Sequence, residues 1–359
     1  MKNLVRVLAL VLGTLVVSPA LAADKPPRVF LLISGTLGDK GFNDSAKAGI
    51  DLIKAKYGDA VTVKFTELGT DAAKYSPALE DAGAEGYSIV ICNNNFNNAL
   101  SDVAPRYPDT LYVMYDGWIS GNVPNVYSIQ YKNSEAGYLA GVLAGTITQD
   151  KKDPRINAEP IVGFVGGRDL TGINDFLVGY VAGAQKALPT VKVVSNFVNS
   201  FTDTAKGKDQ ALVQYGTYKA DVVYHAAGRA GLGVFDAAVE SGKYAIGVDT
   251  DQAALYANDP AKAGLILTST MKRIDLTLLG VVDKVKAGVK IGGQKVFLGI
   301  ADGVIGYAPF NKAIPAATQK VLEGAVADVK AGKVKIPSAY DMTADQILKV
   351  RDSVNPAKN

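Results

Sequence analysis

Short apolar, β-rich runs alternate with helical patterns along almost the whole of this sequence. The runs fall at 28–34, 61–67, 87–93, 110–115, 160–166, 191–197, 220–227 and 244–249. Helical periodicity occupies 43–57, 73–85, 97–106, 133–149, 175–188, 204–217, 232–242, 273–288 and 314–332. Strand-then-helix alternation predicts parallel sheets with helices on both faces. The runs suit buried strands, because Ile89-Val-Ile91 and Val222-Val-Tyr224 are continuously apolar rather than alternating. The series pauses once, at Gly121-Asn-Val-Pro-Asn125 and the following Val126-Tyr-Ser-Ile-Gln130, and restarts at Pro160-Ile-Val-Gly-Phe-Val-Gly-Gly167. A chain of 359 residues that restarts its alternation is expected to build two α/β lobes.

A short internal echo supports two lobes. Gly41-Phe42-Asn43-Asp44 follows the first strand of the first series, and Gly172-Ile173-Asn174-Asp175 follows the first strand of the second. Each lobe is therefore expected to open with a strand, a Gly-rich turn and an Asn/Asp-capped helix.

The N-terminus reads as an export signal. Lys2 and Arg6 precede an apolar core from Val7 to Val17, and Ala20-Leu21-Ala22 carries small residues where a signal peptidase cuts. The apolar stretch is too short for a bilayer span. Cys92 is the single cysteine, so neither a lipid anchor at the cut nor an intrachain disulfide is expected. Cys92 ends an apolar run and reads as a buried structural thiol. Removing Lys2 and Arg6 takes the formal charge from +3 to +1. That balance gives no general attraction to nucleic acid or anionic lipid.

Catalytic chemistry finds little to work with. The stretch Gly35-Thr-Leu-Gly38-Asp-Lys-Gly41 has neither G-x-G-x-x-G nor P-loop spacing. Its Asp39 and Asp44 would repel a phosphate and themselves suit a helix N-terminus. The turn Gly228-Arg229-Ala-Gly231-Leu-Gly233 has the wrong spacing for a dinucleotide fingerprint. His225 is the single histidine, no Cys pair exists, and no G-x-S-x-G accompanies it, so no metal site or Ser-His-Asp triad is expected. Carboxylate pairs such as Asp249/Asp251 are common by chance among 35 acidic residues.

Open parallel sheets place ligands at the carboxyl ends of their strands. Those ends carry Gly35 to Asp44, Asn93-Asn-Asn95 and Asp116-Gly-Trp118 in the first series. In the second they carry Gly166-Gly-Arg-Asp169, Ser200-Phe201, Gly228 and Asp249. Carboxylates, amides and aromatics converging with glycines suit a neutral polar ligand with a flat face.

Four stretches resemble the basic membrane protein family of ABC-importer substrate-binding proteins. They are Gly38-Asp-Lys-Gly-Phe-Asn-Asp-Ser45, Glu135-Ala-Gly-Tyr-Leu-Ala-Gly-Val-Leu-Ala-Gly145, Ser200-Phe-Thr-Asp-Thr-Ala-Lys-Gly-Lys208 and Ala245-Ile-Gly-Val-Asp-Thr-Asp-Gln252. The resemblance runs from about Arg28 past Lys272. It implies a type I periplasmic-binding-protein fold, two lobes joined by a three-segment hinge, closing on a ligand. With it go these boundaries: signal peptide 1–22; first lobe 23–128 plus 254–291; second lobe 129–253 plus 292–335; C-terminal tail 336–359. It implies a receptor, not an enzyme, that delivers a purine nucleoside to an ABC permease as a periplasmic monomer without cofactor. A flavin or free nucleobase stays open as ligand, as does a secreted nucleoside hydrolase as activity. By motif, Asp116 resembles the base-reading carboxylate and Phe201 a stacking ring. Asp249 and Lys272 resemble the ribose-holding pair. Phe42 and Asn43 match the first-lobe signature, and Gly228 lies in a loop that approaches the ligand. Trp118 and Arg229 depart from the common pattern.

Overall fold

The computed structural model describes residues 26–312 and 314–358, so the signal peptide expected over 1–22 lies outside the described residues. Five strands come first, β1 (Arg28–Ser34), β2 (Thr62–Gly69), β3 (Ile89–Asn93), β4 (Leu111–Tyr115) and β5 (Val126–Tyr131). Five more follow, β6 (Ile161–Gly166), β7 (Lys192–Phe197), β8 (Val222–Ala226), β9 (Tyr244–Asp249) and β10 (Ile266–Lys272). Two short strands complete them, β11 (Lys295–Leu298) and β12 (Ile305–Tyr307). They form two six-stranded sheets, ordered β11-β5-β4-β3-β1-β2 and β12-β10-β9-β8-β6-β7. The first sheet is parallel throughout, and the second is parallel except where β12 runs against β10.

Helices α1 (Phe42–Tyr57), α2 (Tyr75–Ala84) and α3 (Asn97–Val103) connect the first four strands. Helices α4 (Asn133–Ile147), α5 (Thr171–Ala187), α6 (Thr204–Gly216) and α7 (Leu232–Ser241) serve the second lobe. The short α8 (Pro260–Ala263) precedes β10. Beyond it come α9 (Ile274–Lys286), α10 (Ala316–Lys330) and α11 (Ala344–Val354). This is the type I periplasmic-binding fold.

The chain crosses between lobes three times: from β5 into α4, from β10 into α9 beside α1, and from β11 to β12. These crossings correct the lobe boundaries. Residue 129 falls inside β5, so the first sheet continues to Tyr131. Within 254–291, β10 belongs to the second sheet because it pairs in parallel with β9. Within 292–335, β11 belongs to the first sheet because it pairs in parallel with β5. The segment 336–359 is no loose tail. Its helix α11 opens with a Thr343/Gln346 capping box, and it packs on α5 and β7.

The second lobe is seamed by small residues. Gly137, Gly141 and Gly145 of α4 face α5, where an added Cβ would come within 2.0, 2.1 and 2.6 Å of backbone oxygens. Gly179 and Gly183 of α5 meet α4 equally closely, at 2.0 and 2.1 Å. The Gly-rich run that resembles a family motif is therefore a packing surface, which lets the two backbones touch.

Both helix starts depart from the expected Asn/Asp caps. Helix α1 begins at Phe42 without a side-chain cap from Gly41. Asp39 does that work, its carboxylate accepting from the backbone N–H groups of Gly41, Asn43 and Asp44. Asp44 turns back instead and accepts from Gly38 N at 2.7 Å and Lys40 N at 2.9 Å. Helix α5 begins at Thr171, again uncapped by a side chain.

Candidate functional site

The carboxyl ends of both sheets border one cavity of about 230 Å³. Seven of the eight residues proposed from the sequence line it: Phe42, Asn43, Asp116, Phe201, Gly228, Asp249 and Lys272. Trp118 does not. The backbone of Asp116 turns through the left-handed region (φ 61°), and Gly117 N donates to Ile129 O, which carries the indole away. Trp118 packs on Phe297 and Tyr340, with ring centroids 5.4 and 5.9 Å apart, and stays 41% exposed.

Lys272 sits at the centre of the charge. Its Nζ lies 3.2 Å from Asp116 Oδ1 of the first lobe and 3.6 Å from Asp249 Oδ1 of the second. Asn133 Oδ1 is 3.5 Å away. The rings of Phe42, Phe176 and Tyr131 surround the ammonium at 5.0, 5.2 and 5.6 Å, and each electron-rich face attracts the cation. Burial opposes the charge of Lys272, but the two aspartates outweigh it and hold its pKa above the ordinary lysine value.

Asp116 and Asp249 match in backbone as well as in partner. Asp116 follows directly on β4, and Asp249 is the last residue of β9, likewise with positive φ, at 67°. Aspartate tolerates this conformation better than most residues. Burial pushes the Asp249 carboxyl up to about 6, with Lys272 pulling it down and Asp116 and Asp39 pushing it further up. Its Oδ1 is buried without a hydrogen-bond partner.

Asn43 presents a second such atom. Its Nδ2 donates to Thr36 O at 3.2 Å, which fixes the amide orientation. The remaining Oδ1 is buried and unpartnered. Two acceptors on residues that line one cavity, one from each lobe, thus have capacity to spare: Asn43 Oδ1 has no donor, and Asp249 Oδ1 has only the Lys272 ammonium at 3.6 Å.

Phe201 is held by its neighbours. Gly167 leaves room for its ring, since a Cβ there would lie 2.3 Å from it. The turn Gly228–Gly231 holds its carbonyl, to which Ala230 N donates at 3.1 Å. Gly228 has φ 55°, where a side chain would be strained.

Sequence reasoning missed Asn133, Phe176, Asp39 and Leu170, all of which line the cavity. Asn133 and Phe176 lie at or near helix starts, where a polar or aromatic residue reads as scaffold. The repeat held a usable signal: Phe176 lies three residues after Ile173, so the second lobe carries its ring nearly one turn further along its helix.

The residues that suggested rival chemistry are structural. His225 is fully buried, bonded through Nε2 to Gln252 Oε1 at 3.0 Å, and burial lowers its pKa to about 4. Cys92 is buried, which pushes its thiol up. Among the described residues, no group of three or more His, Cys, Asp or Glu side chains could hold a metal ion.

Residues 27–339 match the Bmp family, described as ABC transporter substrate-binding protein, PnrA-like. The chain belongs to this family. The ABC transporter nucleoside-binding protein BmpA of Lactococcus lactis subsp. cremoris is 30% identical over 318 residues, covering 84% of this chain and 86% of that one. Basic membrane protein A of Borreliella burgdorferi is 28% identical over 317 residues, 87% of this chain and 88% of that one. In fold, the chain resembles a solute-binding protein of an ABC transporter system from Aeropyrum pernix K1. The TM-score is 0.78 at 23% identity, over 93% of this chain and 98% of that chain. As an ABC transporter substrate-binding protein, the Bmp-family chain has its cavity between two lobes that touch. Arg229 Nη2 donates to Leu37 O at 2.7 Å, Thr250 Oγ1 to Lys40 O at 2.7 Å, and Gln252 Nε2 to the same carbonyl at 3.2 Å. No helix among the described residues is long and apolar enough to cross a membrane.

Proposed function

We propose that this protein is a periplasmic receptor that encloses a purine nucleoside, or a related base-containing solute, and passes it to an ABC permease. The observation that carries this reading is a pair of buried acceptors on one cavity with phenylalanine rings: Asn43 Oδ1, which has no donor, and Asp249 Oδ1, which has only the Lys272 ammonium at 3.6 Å. A buried acceptor left without a donor costs about 1–3 kcal/mol. A ligand bearing hydroxyl or amino donors removes that cost, and Phe42, Phe176 and Phe201 give its flat part apolar faces. Asp249 and Lys272 suit a sugar diol, as donor acceptor and donor respectively, and Asp116 suits the edge of a base. The nucleoside-binding relative supports the same ligand class. No bond-making is assigned to the site; the mechanism is enclosure by lobe closure and release at the permease. In this reading the receptor works free in a periplasm as a monomer, the periplasmic part supported by the export signal read from the sequence and by the lack of a cysteine at its cut.

Mass spectrometry of the ligand that leaves the purified protein on denaturation tests the reading. A purine nucleoside is expected; a sugar or an amino acid would overturn it. Titration with nucleosides, free bases and riboflavin in a calorimeter ranks the candidates. Free base released from a nucleoside by the pure protein would replace the receptor with a hydrolase.

A further inference from the structure

Arg229 stands in the second lobe, yet its bonds run to the first. Its Nη2 donates to Leu37 O at 2.7 Å, and Thr36 Oγ1 lies 3.5 Å away. Thr36 is also the residue whose carbonyl holds the Asn43 amide. A continuous path therefore runs from the Arg229 guanidinium through the Thr36–Leu37 backbone to the unpartnered Asn43 Oδ1 at the cavity. The loop is built to admit the cation. Gly38 has φ 82°, and a Cβ there would meet Arg229 Nη2 at 3.2 Å. The same loop is pinned within its own lobe by Glu67 Oε2, which accepts from Leu37 N at 2.7 Å, and by Asp44. Arg229 has no carboxylate partner within salt-bridge distance among the described residues, so its strongest bond is spent on the opposite lobe.

We propose that Arg229 is a positioning residue that latches the closed receptor, fixing the Thr36–Leu37 segment so that Asn43 meets the ligand only after the lobes have shut. Such a bond is absent from the open form, so it adds to the closed state alone and lowers the rate of escape. It acts on any ligand the cleft encloses. The latch rests on the substrate-binding-protein reading but not on the nucleoside assignment.

Two measurements on the full protein test it. The first is a distance between spin labels at Lys74→Cys and Lys206→Cys, exposed positions on opposite lobes, with Cys92 left buried. In Arg229→Ala the ligand-free distance distribution should shift toward the open form, and Arg229→Lys should recover part of the closed population. An unchanged distribution would overturn the latch, and this readout holds whatever the ligand proves to be. The second is calorimetry and dissociation kinetics with adenosine, guanosine and inosine. Losing a charge-assisted bond should weaken all ligands that bind by a common factor of about ten to a hundred, mostly through faster release. A loss confined to one ligand would instead make Arg229 a direct reader of that ligand and overturn the proposal. Failure of all three to bind the unaltered protein would refute the nucleoside assignment, leaving the label distances to decide the latch. Unfolding of the ligand-free variants is followed in parallel; a large drop in melting temperature for Arg229→Ala would assign Arg229 to the fold and overturn the latch.

Discussion

Each lobe follows its first strand with the same four-residue pattern, Gly-x-Asn-Asp, and puts it to a different use. In the first lobe Asn43 faces the ligand cavity and Asp44 stiffens its own loop. In the second, Asn174 Nδ2 donates to Asp169 Oδ1 at 2.7 Å, and Asp169 is paired with Arg351 of α11. Asp175 is fully buried and reaches away from the cavity. It accepts from Ser134 N, at the start of α4, and from Ser338 Oγ and Ala339 N of the C-terminal segment. One motif is a ligand loop, its echo a clamp that ties α4 and the C-terminal segment to α5. What separates them is the neighbourhood: α4 and the C-terminal segment bond directly to Asp175, whereas in the first lobe α9 meets α1 at Ser45 and Gly49 and leaves Asp44 to its own loop. The fourth strand of each lobe shows the opposite behaviour. Asp116, the residue after β4, and Asp249, the last residue of β9, both take the left-handed conformation and both reach Lys272. There the two lobes work as one site.

The sharpest break in this comparison comes from Asp249. Asp249→Ala should lower ligand affinity by at least about a hundred-fold, since two charge-assisted bonds of about 1.5–3 kcal/mol each are lost. Calorimetry that finds unchanged affinity would remove Asp249 from the site. Next come the echoed aspartates. Asp175→Ala strands three donors, two of them buried, so about 2–5 kcal/mol of stability should go, with little effect on affinity in the fraction that folds. Asp44→Ala should do the reverse, loosening the ligand loop and weakening binding while denaturant unfolding moves little. The same outcome for both would erase the division of labour. Phe201→Ala should then cost about 1–3 kcal/mol of binding through lost stacking, and equal affinities for base-containing and base-free ligands in that variant would confirm its role.

How much of this was legible beforehand depends on how local each feature is. Strands β1 to β4 and β6 to β9 stood out as β-rich runs, apolar in the interior of each sheet and more polar at the edge strands β2 and β7. The hinge strands did not. β10 carries Thr268, Ser269 and Thr270 inside the sheet, and β11 and β12 have four and three residues. Their membership is set by pairing within a sheet after the chain has crossed between lobes, β10 on β9 and β11 on β5, which no local pattern encodes. The same limit explains the lobe boundaries. At the site, strand ends and family motifs pointed to Asp116, Phe201 and Asp249. Asn133 and Phe176 reach the cavity only because α4 and α5 are pressed together along their glycine seam. Trp118 was misplaced because a positive φ at Asp116 reverses the chain just before it, and sequence alone does not report φ.

The smallest effect expected is a pH dependence, and it separates the ligand role of Asp249 from a purely structural one. Its carboxyl titrates near 6 in the fold, above the ordinary 3.8, because burial disfavours the charge. The proton is therefore held more tightly in the native state than in the unfolded chain. The contribution of Asp249 to stability is then full below about pH 4 and is lost as pH rises through about 6. Ligand binding runs the other way. A carboxylate that accepts hydroxyl donors must be ionised, so binding should weaken as pH falls below 6. Roughly one carboxyl in ten is ionised a unit below its pKa, which predicts about a ten-fold loss of affinity between pH 7 and pH 5. In Asp249→Asn that slope should vanish, because the amide does not titrate. A slope that persists would move the titrating group to Asp39, which also lines the cavity and whose pKa is likewise raised by burial. Asp39 spends its oxygens on the N-terminus of α1. Its protonation would reach the ligand through the loop of the first lobe, and the asymmetry between the lobes would then extend to their acids.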